Sequence, residues 1–158
     1  MAHDYFLKIS GIQGESVDVK HKGEIDILSF SWGEANTASA AHGGGAGAGK
    51  VSMQDFHFTK KFDKASPKLF SATASGQRLT SAILTVRKTT GEVPVDYLKY
   101  TFTNILISSY QTAGTGDPDP TPTDQFSIAF QKIRLDLLTQ TPSGATASSV
   151  NESFDLNP

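Results

Sequence analysis

Apolar and polar residues alternate along most of this chain, which is the two-residue period of β-strands. In residues 23–33, GEIDILSFSWG, the alternation changes phase between Ile27 and Leu28. Apolar residues before that point share one face of the strand, and those after it share the other. Because a slip of one residue turns every side chain to the opposite face, this segment predicts a β-bulge or two buried faces, one of them against another subunit.

The same change of phase occurs within two other long strand-like segments, residues 96–112 and 125–140. Bends of this kind are what a small closed barrel needs, since its strands are tilted and turn corners. The predicted strands are residues 5–9, 23–33, 51–62, 79–88, 96–112, 125–140 and 150–156. The pattern therefore predicts a mainly β protein, a compact closed β-barrel, as a single domain over residues 1–158.

One short helix interrupts the strands, at about residues 66–76. Ser66 is the predicted N-cap, a proline takes the first helical position, and Gly76 ends the helix. Leu69 and Phe70 fall on one side of it. That side is predicted to plug an opening or cover an edge of the barrel, because so short a helix is not stable alone.

A long loop of small and polar residues occupies positions 35–49 and ends in AHGGGAGAG. It holds too little apolar surface to offset its own ordering entropy, and loops of this length are usually functional or disordered. Residues 44–50 match part of the phosphate-binding P-loop. Val51, however, stands where that motif needs Ser or Thr, and the segment enters a strand rather than a helix, so we reject nucleotide binding.

Composition excludes several other classes of protein. The formal net charge of −2 argues against nucleic acid as the main partner, and the absence of cysteine excludes disulfides. No apolar run approaches the roughly 20 residues of a membrane helix, so no membrane partner is expected. The first ten residues lack the basic and apolar regions of a signal peptide.

No constellation of residues points to catalysis. The four histidines stand at no metal-like or triad-like spacing, and Asp117, Asp119 and Asp124 make only a poor calcium loop, since prolines intervene. Nucleophile-elbow and zinc-protease motifs are absent. The sequence therefore predicts no enzyme, no cofactor, no metal site and no catalytic residue.

Four segments together carry a resemblance to a known family. They read YFLKISGIQGES, HKGEIDILSFSWG, GKVSMQDFHFTKKFDKASPKL and VPVDYLKYTFTNILISSYQT. In this order they resemble the Hcp family, the tube subunit of bacterial type VI secretion. The similarity runs from Asp4 to about Leu138.

The resemblance implies a homo-hexameric ring, with rings stacking into a hollow tube that works with a sheath and a spike. Small effector proteins would be carried and chaperoned in the lumen. It also implies assembly in the bacterial cytoplasm, followed by secretion without a cleaved signal peptide. Some relatives carry a C-terminal toxin domain. We expect no such extension here, because the chain ends at Pro158 directly after its last strand.

Three sets of residues are candidates for these roles. Ring closure needs one patch to meet a different patch on the next copy, so some strands should be apolar on both faces. The candidate interface residues are Ile25, Ile27, Ile105 and Ile107. The ring-stacking candidates in the glycine loop are His42, Gly43, Gly44, Gly45, Gly47 and Gly49. The lumen-facing candidates are Ser29 and Ser31.

Two alternatives stay open at this point. The four isoleucines could all lie in the core of one bent barrel, and the two serines could simply be exposed on a monomer. The alternative function is a monomeric β-barrel that binds a carbohydrate or another small ligand. Such a protein would want exposed aromatics around a cleft, whereas Trp32 is better explained as a core residue.

Overall fold

A computed structural model of the chain describes residues 3–36, 50–90, 92–116, 118–140 and 146–157. The strands are β1 (His3–Ile9), β2 (Ile25–Ile27), β3 (Ser29–Ser31), β4 (Glu34–Asn36), β5 (Val51–Met53), β6 (Phe56–Lys61), β7 (Arg78–Thr90), β8 (Val93–Ala113), β9 (Thr123–Gln140) and β10 (Thr146–Asp155). The helix α1 is Ser66–Ser75. None of the helical structure in these ranges is long and apolar enough to span a membrane.

Antiparallel pairing joins most of the strands into one sheet that curls into a nearly closed barrel. Its order is β2-β1-β7-β8-β9-β6-β3, and β10 pairs with β9 outside this path. The two ends of the path, β2 and β3, are consecutive in the chain, with only Leu28 between them. A sheet whose ends are joined in this way has to curl, so the predicted mainly β barrel with one short helix is confirmed.

The change of phase at Leu28 is a change of partner strand. Ile27 pairs with Tyr5 of β1, whereas Ser29 pairs with Thr59 of β6. Leu28 itself is exposed, and its N–H donates to the Thr59 carbonyl over 2.8 Å. The prediction of a bulge or of two buried faces is therefore wrong in detail. The segment breaks there and completes both ends of the sheet.

The phase changes in β8 and β9 come from a bend that the two strands share. Asn104 has a φ of +52°, in the left-handed region, and its Nδ2 donates to Oε1 of Gln131 over 2.9 Å. Phe102 and Ile105 lie three residues apart on either side of this point, and both are buried. A straight strand would place them on opposite faces. The sequence pattern predicted the bend, and the bend lets both residues reach the core.

The core is mostly aromatic and aliphatic and has Phe56 near its middle, fully buried. Rings with centroids within about 6 Å of that of Phe56 are Phe30, Trp32, Phe58, Tyr100 and Phe102. Trp32 is only partly buried, although it stacks on Phe56 and its Nε1 donates to the Gln54 carbonyl over 2.9 Å. It packs against the core from the rim of the barrel, as a partial cover.

The helix begins and ends close to the predicted positions. Ala65 is the N-cap rather than Ser66, and Gly76 ends the helix with a φ of +65°. Leu69 is fully buried against the barrel, but Phe70 is exposed, which corrects the expectation that both cover it. Since the helical repeat is 3.6 residues, Ala72 shares the buried side with Leu69.

A buried ionic cluster fixes the start of this helix to the barrel. Lys60 is fully buried, and its Nζ lies 2.7 Å from Asp63 Oδ1, 2.7 Å from Ser66 Oγ and 2.9 Å from Asp124 Oδ2. Burying a charge is tolerated only when its hydrogen bonds are satisfied, and three polar partners meet that condition here.

Candidate assembly surface

Large apolar side chains stay exposed on the β9–β10 hairpin. We call residues 134–140 and 146–155 the arm, because there β9 and β10 continue beyond the bend of the sheet. Val150 is 55% exposed and Phe154 46% exposed. The apolar face, as we use the term, consists of Leu135, Leu137, Val150 and Phe154.

The apolar face continues the core of the barrel along the same side of the sheet. Phe102 pairs with Ile133, and both are buried. Two residues further along β9, Leu135 pairs with Tyr100, and Leu137 follows on the same side. Val150 of β10 stands directly opposite Leu137. One continuous surface therefore runs from the buried core out to solvent.

A small cleft marks the place where the core meets the arm. It holds about 160 Å³ and is lined by Trp32, Met53, Tyr100, Leu135 and Phe154, among others. The polar groups in its lining include the carboxylates of Glu34 and Glu152. An apolar cleft at the edge of a core can accept one large apolar side chain from outside.

The four isoleucines proposed for the subunit interface lie inside the single chain. Ile25, Ile27, Ile105 and Ile107 are all buried in the hydrophobic core. Almost none of their surface is left for contact with another copy, so that assignment is wrong and the single-core alternative is right. Alternation alone could not separate them from the apolar face, because both sets obey the same period of two.

Ser29 and Ser31 are exposed, at the edge of a polar patch that spans β3, β6, β9 and β8. The register places each serine at the end of a row of polar side chains. The rows are Ser29, Thr59, Gln125 and Gln111, and Ser31, His57, Ser127 and Ser109. We call these eight residues the polar face. None of them is Lys, Arg, Asp or Glu, and they partly line a shallow cavity of about 460 Å³.

Hydroxyl groups hold one end of the polar face in place. Ser127 is buried, with its Oγ 2.5 Å from Ser109 Oγ and 2.7 Å from Ser108 Oγ. Ser108 in turn donates to Asp55 Oδ2 over 2.7 Å. Two residues of this face, Ser29 and Ser31, were predicted from the sequence. The other six could be assigned only once the strand register was known, because they come from segments far apart in the chain.

The glycine-rich loop leaves from a separate two-stranded sheet. β4 and β5 pair from Glu34 with Met53 to Asn36 with Val51. Residues 37–49 connect these strands, and they lie outside the described residues. The stacking candidates His42, Gly43, Gly44, Gly45, Gly47 and Gly49 all fall within that segment, so their role stays a prediction.

A second cluster of charge lies on the outer side of the barrel. The Phe6 ring stacks on His21, with centroids 4.4 Å apart, and the Cζ of Arg87 lies 5.0 Å from the centroid of the same Phe6 ring. Arg87 forms an ion pair with Asp18, and its Nε donates to Asp96 Oδ1 over 3.0 Å. These contacts fasten the segment between β1 and β2 onto β1 and β7.

The carboxylates of this cluster have shifted acidities. The hydrogen bond from Arg87 lowers the pKa of Asp18 below its ordinary value. Burial works to raise the pKa of Asp96, but hydrogen bonds from Arg87 and His21 outweigh it and lower that pKa overall. Burial also raises the pKa of Asp26, and the charge of Asp63 adds to the effect. Asp18 and Asp96 are thus held as charged carboxylates by the Arg87 guanidinium.

Comparison with known proteins gives the family. Residues 6–136 match the family model described as type VI secretion system effector, Hcp. The protein hcp1 of Pseudomonas aeruginosa is 43% identical over 145 residues, which cover 92% of this chain and 89% of that protein. The family-model match spans the helix and strands β2 to β8 and ends within β9.

Solved structures agree with this match. One, described as a type six secretion system protein, superposes with a TM-score of 0.90 at 30% identity, covering 98% of this chain and 96% of the other. Hcp1 from Salmonella typhimurium superposes with a TM-score of 0.79 at 33% identity, covering 99% and 96%. The fold described above is therefore found in solved structures of the same kind.

Proposed function

The chain belongs to the Hcp family of type VI secretion proteins, and from this premise we propose that its apolar face closes copies of it into a hexameric ring. The family accounts for a secreted tube component. What the structure adds is a surface on which a neighbouring subunit can pack. The observation that supports the proposal is the continuity of the apolar face with the buried core.

The energetics suit an interface that works only in a closed ring. A fully buried Leu, Val or Phe contributes about 1.5–3 kcal/mol. The four residues of the apolar face are already about half covered, so burying the rest of them gives on the order of 5 kcal/mol, which is no more than the low end of the cost of associating two proteins. A single contact is therefore weak. A ring gives every copy two contacts, one through its apolar face and one through a different patch, so closure stabilises all of them together.

The polar face supports the proposal that the ring carries cargo. In this proposal Ser29, Ser31 and the rest of their two rows face the lumen. A surface of hydroxyl, amide and imidazole groups without full charges stays hydrated and holds no single partner tightly. That property fits a carrier and chaperone for small effector proteins of varied sequence.

The remaining parts of the proposal follow from the family and the loop. The segment 35–49 would reach the next ring, so that rings stack into a tube inside a sheath and behind a spike. Glycine-rich backbone adapts to a neighbouring surface at an entropic cost, which keeps each stacking contact weak until many act together. We further propose one domain over residues 1–158 with no catalytic activity of its own, exported from the bacterial cytoplasm without a cleaved signal peptide.

The ring is tested by removing the apolar face. We expect Leu137→Ser with Val150→Ser to give a folded monomer, because both side chains point outward on one surface. The matched control is Leu28→Ser with Phe70→Ser, which removes two exposed apolar residues outside the arm. Light scattering on the purified proteins should give a hexamer for the wild type and the control. A ring that survives in the arm variant would contradict the proposal.

Cargo binding is tested on the polar face. Ser31→Gln places a bulkier neutral group in the shallow cavity, and Ser29→Gln places one at the end of the neighbouring row. We expect rings of unchanged mass that no longer retain a co-expressed small effector. The control is Thr121→Gln, an exposed site in the loop before β9. Unchanged retention in the serine variant would remove both residues from the lumen.

A further inference from the structure

A basic cleft lies beside the start of the helix, although the chain as a whole is slightly acidic. It holds about 720 Å³. Five lysines from three separate segments line it: Lys8 from β1, Lys20 and Lys22 from the connection before β2, and Lys64 and Lys68 from the region of α1. The whole sequence carries a net charge of −2, so this concentration of positive charge is local.

None of these five ammonium groups forms an ion pair within the described part of the chain. Some cations elsewhere do form ion pairs: Lys60 with Asp124, Arg87 with Asp18, and Arg134 with Asp136. The lining of the cleft includes one carboxylate, that of Glu24, and its Oε2 already lies 2.8 Å from Nδ1 of His21. The carboxylates of Glu15 and Asp18 accept from the backbone N–H groups of Lys64 and Lys20, over 2.8 and 2.9 Å, and not from their ammonium groups. Five ammonium groups outnumber these carboxylates, so the cleft keeps a positive charge that an anion from outside would complement.

The chemistry of the lining favours a chain of carboxylates over other anions. Every cation in it is a lysine, a flexible point charge, and no arginine supplies the planar fork that grips a phosphate in two places. No aromatic side chain lines the cleft, so it has no platform on which nucleic-acid bases could stack. Spread over three segments, the charges match an extended polyanion better than one small ion.

We propose that this basic cleft docks an acidic peptide segment of a partner protein. The lysine side chains would reach over the segment from three sides, while Ser10 and Gln13 offer hydrogen bonds to its backbone. Electrostatic contacts of this kind contribute to the rate and selectivity of encounter more than to tight binding, and salt weakens them. This inference goes beyond the ring and its cargo, because neither the apolar face nor the polar face contributes to the cleft.

Binding of a fluorescent peptide tests the proposal on the full chain. The probe is a synthetic peptide in which glutamate alternates with serine, and the comparison peptide has glutamine in place of every glutamate. We expect the glutamate peptide alone to raise its anisotropy at low salt, and to lose most of that signal near 0.3 M salt. An oligothymidylate and phosphatidylserine vesicles serve as competing anions.

Two charge-matched variants locate the binding site. Lys20→Gln with Lys68→Gln removes two charges from the cleft, and we expect about tenfold weaker binding, which corresponds to the loss of two exposed ion pairs. Lys99→Gln with Lys132→Gln removes two charges from exposed positions outside it and should leave binding within about twofold.

Several results would overturn the proposal. They are no binding of the glutamate peptide at low salt, an equal loss in both variants, or stronger binding of the oligothymidylate or the vesicles than of the peptide. A change of ring mass in the cleft variant would instead assign the lysines to contact between copies, and would also reject a partner peptide. Failure of the ring proposal leaves this test intact, since the readout is peptide binding.

Discussion

The barrel and the arm share strand β9, yet they treat their apolar residues in opposite ways. In the barrel part of β9, Phe126 and Ile128 are buried. In the arm part of the same strand, Leu135 and Leu137 are exposed. The spacing is identical, so the difference lies in what covers the sheet. Around the barrel the sheet curls onto itself, whereas the apolar face has no second layer within the described residues.

Charged residues show the same contrast. The barrel buries Lys60 with Asp124, and three further hydroxyl groups, those of Ser66, Tyr110 and Thr112, also bond to that carboxylate. The arm carries the pair of Arg134 and Asp136 at its surface. A buried pair is sensitive to the loss of one partner, and an exposed pair is not. The barrel should thus set the stability of the chain, while the arm is left free to bind.

The largest expected effect comes from breaking the buried pair. Asp124→Ala leaves the buried Lys60 ammonium with the carboxylate of Asp63 alone and removes the acceptor of three hydroxyl groups, so we expect a loss of about 3–5 kcal/mol in the free energy of unfolding. Urea unfolding of dilute protein measures it. The control in the arm, Asp136→Ala, should leave the unfolding midpoint unchanged. Equal losses in the two variants would show that the arm also contributes to stability, against the comparison.

A matched pair of apolar truncations separates the two regions next. Ile105→Ala opens a cavity in the barrel core and should cost about 2–5 kcal/mol of unfolding free energy. Leu137→Ala removes a similar volume from the exposed face and should change that free energy by less than about 0.5 kcal/mol. Both are measured by urea unfolding, at a protein concentration low enough to keep copies apart. A large cost for Leu137→Ala there would mean that the arm packs against its own chain.

Strand type and the barrel could be predicted from sequence because they depend on local periodicity. The phase changes in β8 and β9 predicted the bend at Asn104, and the residues from Ser66 to Gly76 predicted the helix. Each prediction needed only a short stretch of chain. What covers an apolar face depends on contacts between distant segments. For that reason Ile105 was assigned to an interface and proved to lie in the core.

The charged clusters escaped prediction for a related reason. Lys60 occupies the apolar phase of β6, and in the sequence nothing distinguishes it from the exposed Lys61 beside it. Its partner Asp124 lies 64 residues away. The local sequence indicates only that a lysine at an inward position of a strand is energetically unfavourable to bury, so it needs partners. The same reasoning applied to Arg87 predicts that it needs partners of opposite charge, and Asp18 is one of them.

The smallest expected effect is an acid dependence that belongs to the barrel and not to the arm. Hydrogen bonds from Ser66, Lys60 and Thr112 outweigh the burial that works to raise the pKa of Asp124, so this pKa is lowered from its ordinary value of 3.8, as is that of Asp18. A carboxyl whose pKa is lowered in the folded state contributes stability in full above the unfolded pKa. It loses that contribution as pH falls through the folded pKa. The midpoint of thermal unfolding should therefore fall as the pH drops below about 4.

Asp18→Asn distinguishes this cause from general acid unfolding. The amide keeps the shape but cannot carry the charge that Arg87 pairs with, so at neutral pH we expect a loss of about 1 kcal/mol, the upper end for a partly exposed pair. The variant and the wild type should converge only as the pH falls through the lowered folded-state pKa of Asp18, because below that pKa Asp18 is protonated in both states of the wild type. Asp26→Asn should act in the opposite sense. Burial and nearby carboxylates raise the pKa of Asp26, so its charge disfavours folding at neutral pH, and removing it should raise the midpoint slightly. If Asp18→Asn has the same unfolding midpoint as the wild type at every pH, the ion pair with Arg87 makes no contribution to the stability of the barrel.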